Sequence, residues 1–595
     1  MATLPARAQA LKISLDGPWL FRADSLKAGV QERWYLETHD RAPWKPVATP
    51  SFWESYPGLA SYDGWGWYTR SFVLPRLDVP LSVHFAGVDD EATVWINGVE
   101  VGTHSGYSDP FVFNLGGFVR EGENTIVLLV RDTGGGGGLY RPVTIVPSAA
   151  VEELLRGPYA SMRALKSAAW VRDAVLYCVD VRVFTPEGTF AALEKRLPEL
   201  KALGATVLWL MPVHPIGVRN RKGTHGSPYS VQDYYGVNPE FGTMAQFKSL
   251  LSAVHRSGMR LILDLVANHT AWDSRLMREH PEYFTRDASG AIVSPNADWT
   301  DVADLDYANP ALRQYMTDMM VWWVRDVGID GFRCDVAEMV PTDFWNDARA
   351  RLNRIKPVMM LAEGSLPEHH VKAFDLSYSW NVYDALEGMV RGSRSVRVLD
   401  RILETERLQF PRGSLRMRFT TNHDKNFYDA PAVEKFGVDG LALANVLTGT
   451  LPGVPMVYNG EEIPNDRRID HHQKVPIAWK PPYRLTPLFQ RLFALRARHP
   501  ALRHGQMLRV GSSAPDSVYA FLRIAGNDRI LVVLNFSPGP LDIRLEIPVG
   551  TLFPRQKKAV LDDLVTNVSV TLGVDALKDY ALTLPAHGAA LFALR

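Results

Sequence analysis

The 595-residue sequence predicts a multidomain α/β protein, a (β/α)8 (TIM) barrel flanked by an N-terminal and a C-terminal antiparallel β-sandwich. Three observations carry this reading. Strand-length runs divided by Gly, Pro and Asp turns fill residues 11–150. Strand and helix patterns then alternate through 168–498, with Gly at helix ends. Strands return without helices in 499–595.

Composition narrows the class of protein. Apolar residues make up 46% and charged residues 22%, the proportions of a soluble globular chain. Lys+Arg and Asp+Glu are both 65, so neither nucleic acid nor an anionic membrane is expected as a partner. No apolar run is long enough to cross a bilayer. The two cysteines, Cys178 and Cys334, fall in expected barrel strands and read as buried thiols rather than a bridge. Residues 1–10 read as a disordered tail or a signal remnant, since Ala8-Gln9-Ala10 has a small-x-small pattern. A remnant implies a periplasmic or secreted protein; otherwise the protein is cytoplasmic. Nothing in the sequence signals an oligomeric state.

In the first segment, 81–85, 92–96, 111–115 and 125–130 are alternating or apolar runs of strand length, and Asn97-Gly98 marks a hairpin. From residue 168 the pattern changes. Strands are expected at 176–184, 206–211 and 260–266, with helices at 190–203 and 244–257, and an insertion at 271–304 follows the third strand. An amphipathic stretch, 315–327, runs into the turn Gly328-Ile329-Asp330-Gly331 and then a short apolar strand. There Arg333 and Asp335 alternate with Phe332 and Cys334, so both charged side chains face one way. Other polar residues gather at strand ends: Asp264 with Asn268-His269, Glu363, and Asn422-His423-Asp424. The C-terminal rim is where barrel enzymes carry their chemistry. In the last segment, 517–524, 529–535, 541–547 and 589–593 alternate as strands.

These rim motifs, in order, resemble the signature regions of the α-amylase family, glycoside hydrolase family 13. Tyr229 in Ser227-Pro228-Tyr229 resembles its second-strand sugar-stacking motif. Leu451-Pro452-Gly453-Val454-Pro455 and Tyr458-Asn459-Gly460 resemble its eighth strand. Gly66-Trp67-Tyr68-Thr69-Arg70, Val94-Trp95-Ile96-Asn97-Gly98 and Gly138-Leu139-Tyr140-Arg141-Pro142 resemble the jelly-roll, galactose-binding-like domain of family 2 glycoside hydrolases. In that domain Trp65 and Trp67 are either a sugar platform or core.

The barrel resemblance implies a retaining hydrolase of α-1,4-glucosidic bonds in maltodextrins, malto-oligosaccharides or related α-glucans. Asp335 is then the nucleophile, Glu363 the acid and base, and Asp424 the third carboxylate. Arg333 orients Asp335, Asp264 ties down Arg333, His269 and His423 bind hydroxyls, and Tyr229 offers its ring face to the same sugar. No cofactor is required for the chemistry. A structural calcium at Asn268 is implied in some relatives, with Asp287, Asn296, Asp298 and Asp301 as candidate donors. Two departures bear on substrate: Glu338-Met339 stands where many α-amylases carry Lys-His, and Gly226 where chain-end-selective enzymes carry Asp. An α-glucan transglycosylase and a non-catalytic sugar-binding scaffold are the rival expectations.

Overall fold

The computed structural model describes residues 11–75, 79–106, 110–132, 136–480 and 485–595. The tail at 1–10 and part of the Gly-rich loop 134–138 lie outside the described residues. The chain forms two compact units, Met1–Ala160 with Arg401–Phe410, and Ser161–Asp400 with Pro411–Arg595.

The first unit is a sandwich of two antiparallel sheets. One has the order Ile13–Ser14, Val143–Pro147, Leu81–Phe85, Phe111–Asn114. The other runs Lys45–Thr49, Gly17–Ala23, Trp65–Leu74, Gly122–Arg131, Glu91–Ile96, Val99–Ser105. Alternate residues of both sheets, among them Phe21, Tyr68, Val83 and Phe113, meet in one core. Asn97 and Gly98 have φ of 52° and 80°, the pair of positive angles that a two-residue hairpin turn needs. Trp67 lies in a second core with Trp34, Trp44 and Trp95, and its indole N–H donates to Asp24 (3.0 Å). Trp67 is therefore a core residue. Trp65 is only partly buried, beneath the Arg131 guanidinium.

The second unit holds a closed barrel of eight parallel strands: Leu176–Val179, Val207–Leu210, Arg260–Leu265, Gly331–Cys334, Met359–Ala362, Leu376–Tyr378, Leu415–Arg418 and Val454–Tyr458. Pairing of Leu176 with Met456 closes the ring. The inward residues, such as Leu176, Trp209, Ile262, Leu361 and Met417, form a continuous core. Both cysteines are buried free thiols. The first strand stops at Val179 instead of running to residue 184. Asp180 accepts from the Arg182 amide (3.0 Å) and starts a short helix, Val181–Phe184, the usual effect of an Asp at a helix start. The second long helix, Met244–Arg256, opens on a capping box of Thr243 and Gln246. Within the insertion, His269–Ala271 pairs antiparallel with Val302–Asp304.

An eight-stranded antiparallel sheet at the C-terminal end folds over a core that includes Val510, Leu522, Val533, Ile543 and Leu594. Arg523, 1% exposed, donates to the carbonyls of Thr450 and Gly505. Thr450 ends the barrel helix Ala432–Thr450, so this buried guanidinium pins the sheet to the barrel. No helix among the described residues is long and apolar enough to cross a membrane.

Candidate active site

The site is assembled around Arg333, whose side chain is fully buried on the fourth strand. Parallel pairing sets Asp264 of the third strand directly beside it. Arg333 Nη1 donates to Asp264 Oδ1 (2.8 Å) and to Asp335 Oδ1 (2.9 Å). Its Nη2 lies 2.6 Å from Glu363 Oε1, at the end of the fifth strand. Its Nε donates to the Tyr378 hydroxyl (3.2 Å). The rings of Trp209, Tyr229 and Tyr378 surround the guanidinium at 5.2, 5.9 and 5.7 Å. One cation thus fixes carboxyls from three strands behind an aromatic wall.

A second chain of contacts runs to the seventh strand's loop. The Tyr229 hydroxyl sits 2.6 Å from His423 Nε2 and 3.2 Å from Asp264 Oδ2. The Tyr229 and His423 rings stack at 5.5 Å. The same His423 Nε2 is 3.2 Å from Asp424 Oδ2. His269 Nε2 approaches Asp335 Oδ2 to 4.0 Å from the insertion side. Every residue singled out for the reaction from the sequence, three carboxyls, Arg333, Asp264, Tyr229 and the two histidines, therefore gathers at one point. Lys425 makes its ion pair with Asp429 (3.5 Å) and faces Trp380 and Tyr383, acting on Asp424 only through its field.

One guanidinium faces four carboxyls here, and burial shapes their titration. Burial pushes Asp264 up to about 6, against the pull of Arg333. It pushes Asp424 up to about 7, helped by repulsion from Glu363. Asp335 is pushed upward by burial too, with Arg333 opposing and Glu363 reinforcing the shift. Burial pushes Asp264, Asp335 and Asp424 toward the neutral form, and Arg333 opposes it at each. Burial lowers His269 to about 3 and takes His423 well down, so both rings are neutral.

Backbone details tie the carboxyls together. Val336, directly after Asp335, has φ 36° and ψ 48°, a left-handed conformation rare for a β-branched residue. Its N–H donates to Glu363 Oε2 (2.8 Å). Glu338 accepts from the Ser365 amide, and Gly364, with φ 147°, leaves the space that the Glu338 side chain fills. Glu338 thus braces the segment behind Glu363.

The candidate calcium donors each have partners within the protein. Asn268 is buried with Nδ2 3.5 Å from Asp304 Oδ1. Asp301 pairs with Lys222 (3.2 Å). Asp287 accepts from Ser289 and Ala291 in its own turn, and Asn296 accepts from the Asp298 amide. Calcium takes about six to eight converging oxygens, and the bonds described here hold these side chains within their own turns and ion pairs.

Trp209 and Tyr378 belong to the site without having been singled out for it from the sequence, and Glu338, noted there as a departure, takes a bracing role. The Trp209 indole donates to Asp264 Oδ2 (3.1 Å). Its position in an alternating strand, facing the same interior as Arg333, is the signal that could have found it. Tyr378 ends a strand of three residues, too short for any periodicity to reveal.

A parallel barrel with acidic side chains clustered at its C-terminal rim is the architecture of a barrel hydrolase. Residues 161–300 and 296–479 match the profile of the α-amylase catalytic domain, more than half of the chain, and the protein belongs to that family. Residues 12–136 match the sugar-binding domain of glycosyl hydrolases family 2, and 508–591 the maltogenic amylase C-terminal domain. The structure of the maltogenic α-amylase AmyB from Thermotoga neapolitana is 31% identical with a TM-score of 0.65, covering 71% of this chain and 99% of that one. An α-amylase structure from Lactobacillus plantarum is 30% identical (TM-score 0.63; 72% of this chain, 100% of that one). α-Amylase MalA of Haloarcula japonica is 28% identical over 422 residues, 66% of this chain. The match spans 59% of that protein's length.

Proposed function

We propose that the protein is a retaining hydrolase of α-1,4-glucosidic bonds in malto-oligosaccharides and maltodextrins. The observation that carries the reading is Asp335 and Glu363 bound to neighbouring nitrogens of one guanidinium. That arrangement suits the separation of about 5 Å that a covalent glycosyl-enzyme requires. Asp335 Oδ1 is held by Arg333, which leaves Oδ2 to attack the anomeric carbon. The bond from Arg333 favours the ionised form that a nucleophile needs, against the push of burial. Glu363 protonates the departing oxygen as the glycosidic bond breaks, and then takes a proton from the water that opens the Asp335 ester. To do so its Oε1 swings off Arg333, while Val336 N–H keeps Oε2 in place. Asp424 and His423, joined at 3.2 Å, accept and donate to the hydroxyls of the reacting glucose. Tyr229 is held at its hydroxyl, so its ring face is fixed for stacking.

The test is digestion of maltohexaose followed by NMR of the first product. Release of the α-anomer supports retention; absence of any cleavage of maltodextrins or starch ends the reading. A transglycosylase with the same carboxyls is the second reading. Met339, apolar and 48% exposed four residues after Asp335, offers an acceptor sugar a dry surface. Longer oligosaccharides appearing at high substrate concentration favour transfer over hydrolysis.

A further inference from the structure

The loops around the rim are unequal. The loop after the second strand, residues 216–229, carries Tyr229 at its end and is fastened on both flanks. On one flank the His225 amide donates to the His472 carbonyl (2.9 Å), beyond the eighth strand. Gly223, with φ 62°, packs so closely on His472 that a Cβ there would lie 2.6 Å from the His472 Cβ. Arg182, 1% exposed at the end of the first strand, donates to the carbonyls of His471 (2.5 Å) and Gly226 (3.3 Å). On the other flank the Lys222 ammonium bridges the Asp298 carbonyl (2.8 Å) and the Asp301 carboxylate (3.2 Å) of the insertion. The Val218 amide donates to Asp273 as well (3.0 Å). The polypeptide is thus continuous from the eighth-strand loop, over the first and second strands, to the insertion after the third.

The order of the ring says which end of a substrate this wall meets. In a closed barrel of eight consecutive strands, the fifth stands across from the first. Glu363 follows the fifth strand, and the acid must stand beside the leaving group. The wall, centred on the first strand, therefore faces the opposite side of the reacting sugar, where the non-reducing end lies. His471, under the wall, reaches within 6.0 Å of the His423 ring, so little depth separates the wall from the reacting glucose. Tyr428, 66% exposed beside His471, offers an aromatic face to one further sugar.

We infer that the enzyme is exo-acting even though Gly226 replaces the Asp of chain-end-selective relatives: the fastened loops make the glycone side a blind pocket that admits the non-reducing end of an α-glucan and releases mono- or disaccharide units. This rests on the proposed roles of Asp335 and Glu363. The experiment uses maltohexaose tagged with a fluorophore at its reducing end, with and without an ethylidene cap on the non-reducing glucose. The uncapped chain should give tagged fragments shortened stepwise from the far end. The capped chain should be cut at least about fifty-fold more slowly. Comparable cutting of both, with mid-chain fragments first, overturns the inference and leaves α-glucan hydrolysis standing. Failure to cut either removes both. A variant with residues 219–224 replaced by Gly-Gly, checked for an unchanged circular dichroism spectrum, should raise the capped-to-uncapped rate ratio at least about tenfold. Lys222→Ala, which cuts only the tie to the insertion, should raise it severalfold. Unchanged ratios in folded forms of both also overturn the assignment of the wall.

Discussion

Arg333 gathers the carboxyls of Asp264, Asp335 and Glu363 on one guanidinium, whereas Glu461 and Glu462, just beyond the eighth strand, sit among neutral partners. Glu461 accepts from the Thr420 hydroxyl, from Asn445 Nδ2 (2.9 Å) and from the Tyr458 amide (3.3 Å). Glu462 accepts from the Tyr177 hydroxyl (2.6 Å). Burial pushes both up to about 7. Both regions bury acids at the rim of one barrel, yet only one supplies a cation. Burial pushes acids upward in both regions; in the first Arg333 opposes that push, whereas in the second only neutral donors do. The comparison teaches that equally buried acids differ in the charge set beside them rather than in burial.

The contrast can be broken most sharply at Asp335. Asp335→Asn should lower kcat on maltohexaose by at least about 10³-fold with an unchanged circular dichroism spectrum. Activity within tenfold of the parent would falsify its role as nucleophile. Glu363→Gln should cost about 10²- to 10⁴-fold on oligosaccharides. The loss should shrink markedly on a glucosyl fluoride, whose leaving group needs no proton; equal losses on both substrates would argue against a general acid.

Asp264→Ala probes the cation itself. Arg333 would keep its charge in a fully buried position with one partner fewer, and denaturant unfolding should read a loss of about 3–5 kcal/mol. A neutral result would mean that the guanidinium does not depend on this carboxylate. The smallest effect is expected at the cation-free pair. The folded pKa of Glu462, about 7, lies above its ordinary 4.5, so the folded state binds the extra proton. Its contribution to stability is complete below about pH 4.5 and is lost as pH rises through 7. The melting temperature should therefore fall between pH 5 and 8, and Glu462→Gln should flatten that fall by at most about 3 kcal/mol. Identical pH profiles for the two proteins would contradict this account.

The sequence made the charged centre legible because a strand alternates: Arg333 and Asp335 had to share a face, and the Gly turn before them marked the strand's start. The capping box at Thr243 and the Asn97-Gly98 hairpin were readable for the same local reason. What escaped depended on single side-chain bonds or on distant partners. Asp180 turns the first strand into a helix through one side-chain bond, which an apolar run from 176 to 184 conceals. Tyr378 lies on a three-residue strand held by its neighbours rather than by its own pattern. The loop 216–229 has no periodicity, and its form comes from Arg182, His472 and Asp301, remote in sequence.

The left-handed Val336 has a consequence for how this centre could change. Its peptide carries the putting-forth of one reactive group and the anchoring of the other, since Asp335 precedes it and its N–H holds Glu363. Such a conformation costs about 1–3 kcal/mol for a residue of this kind. Glycine at position 336 would relieve that cost and let the peptide rotate, so a sturdier protein and a slacker pair of acids would arrive in a single substitution. A change at this one peptide therefore reaches both Asp335 and Glu363.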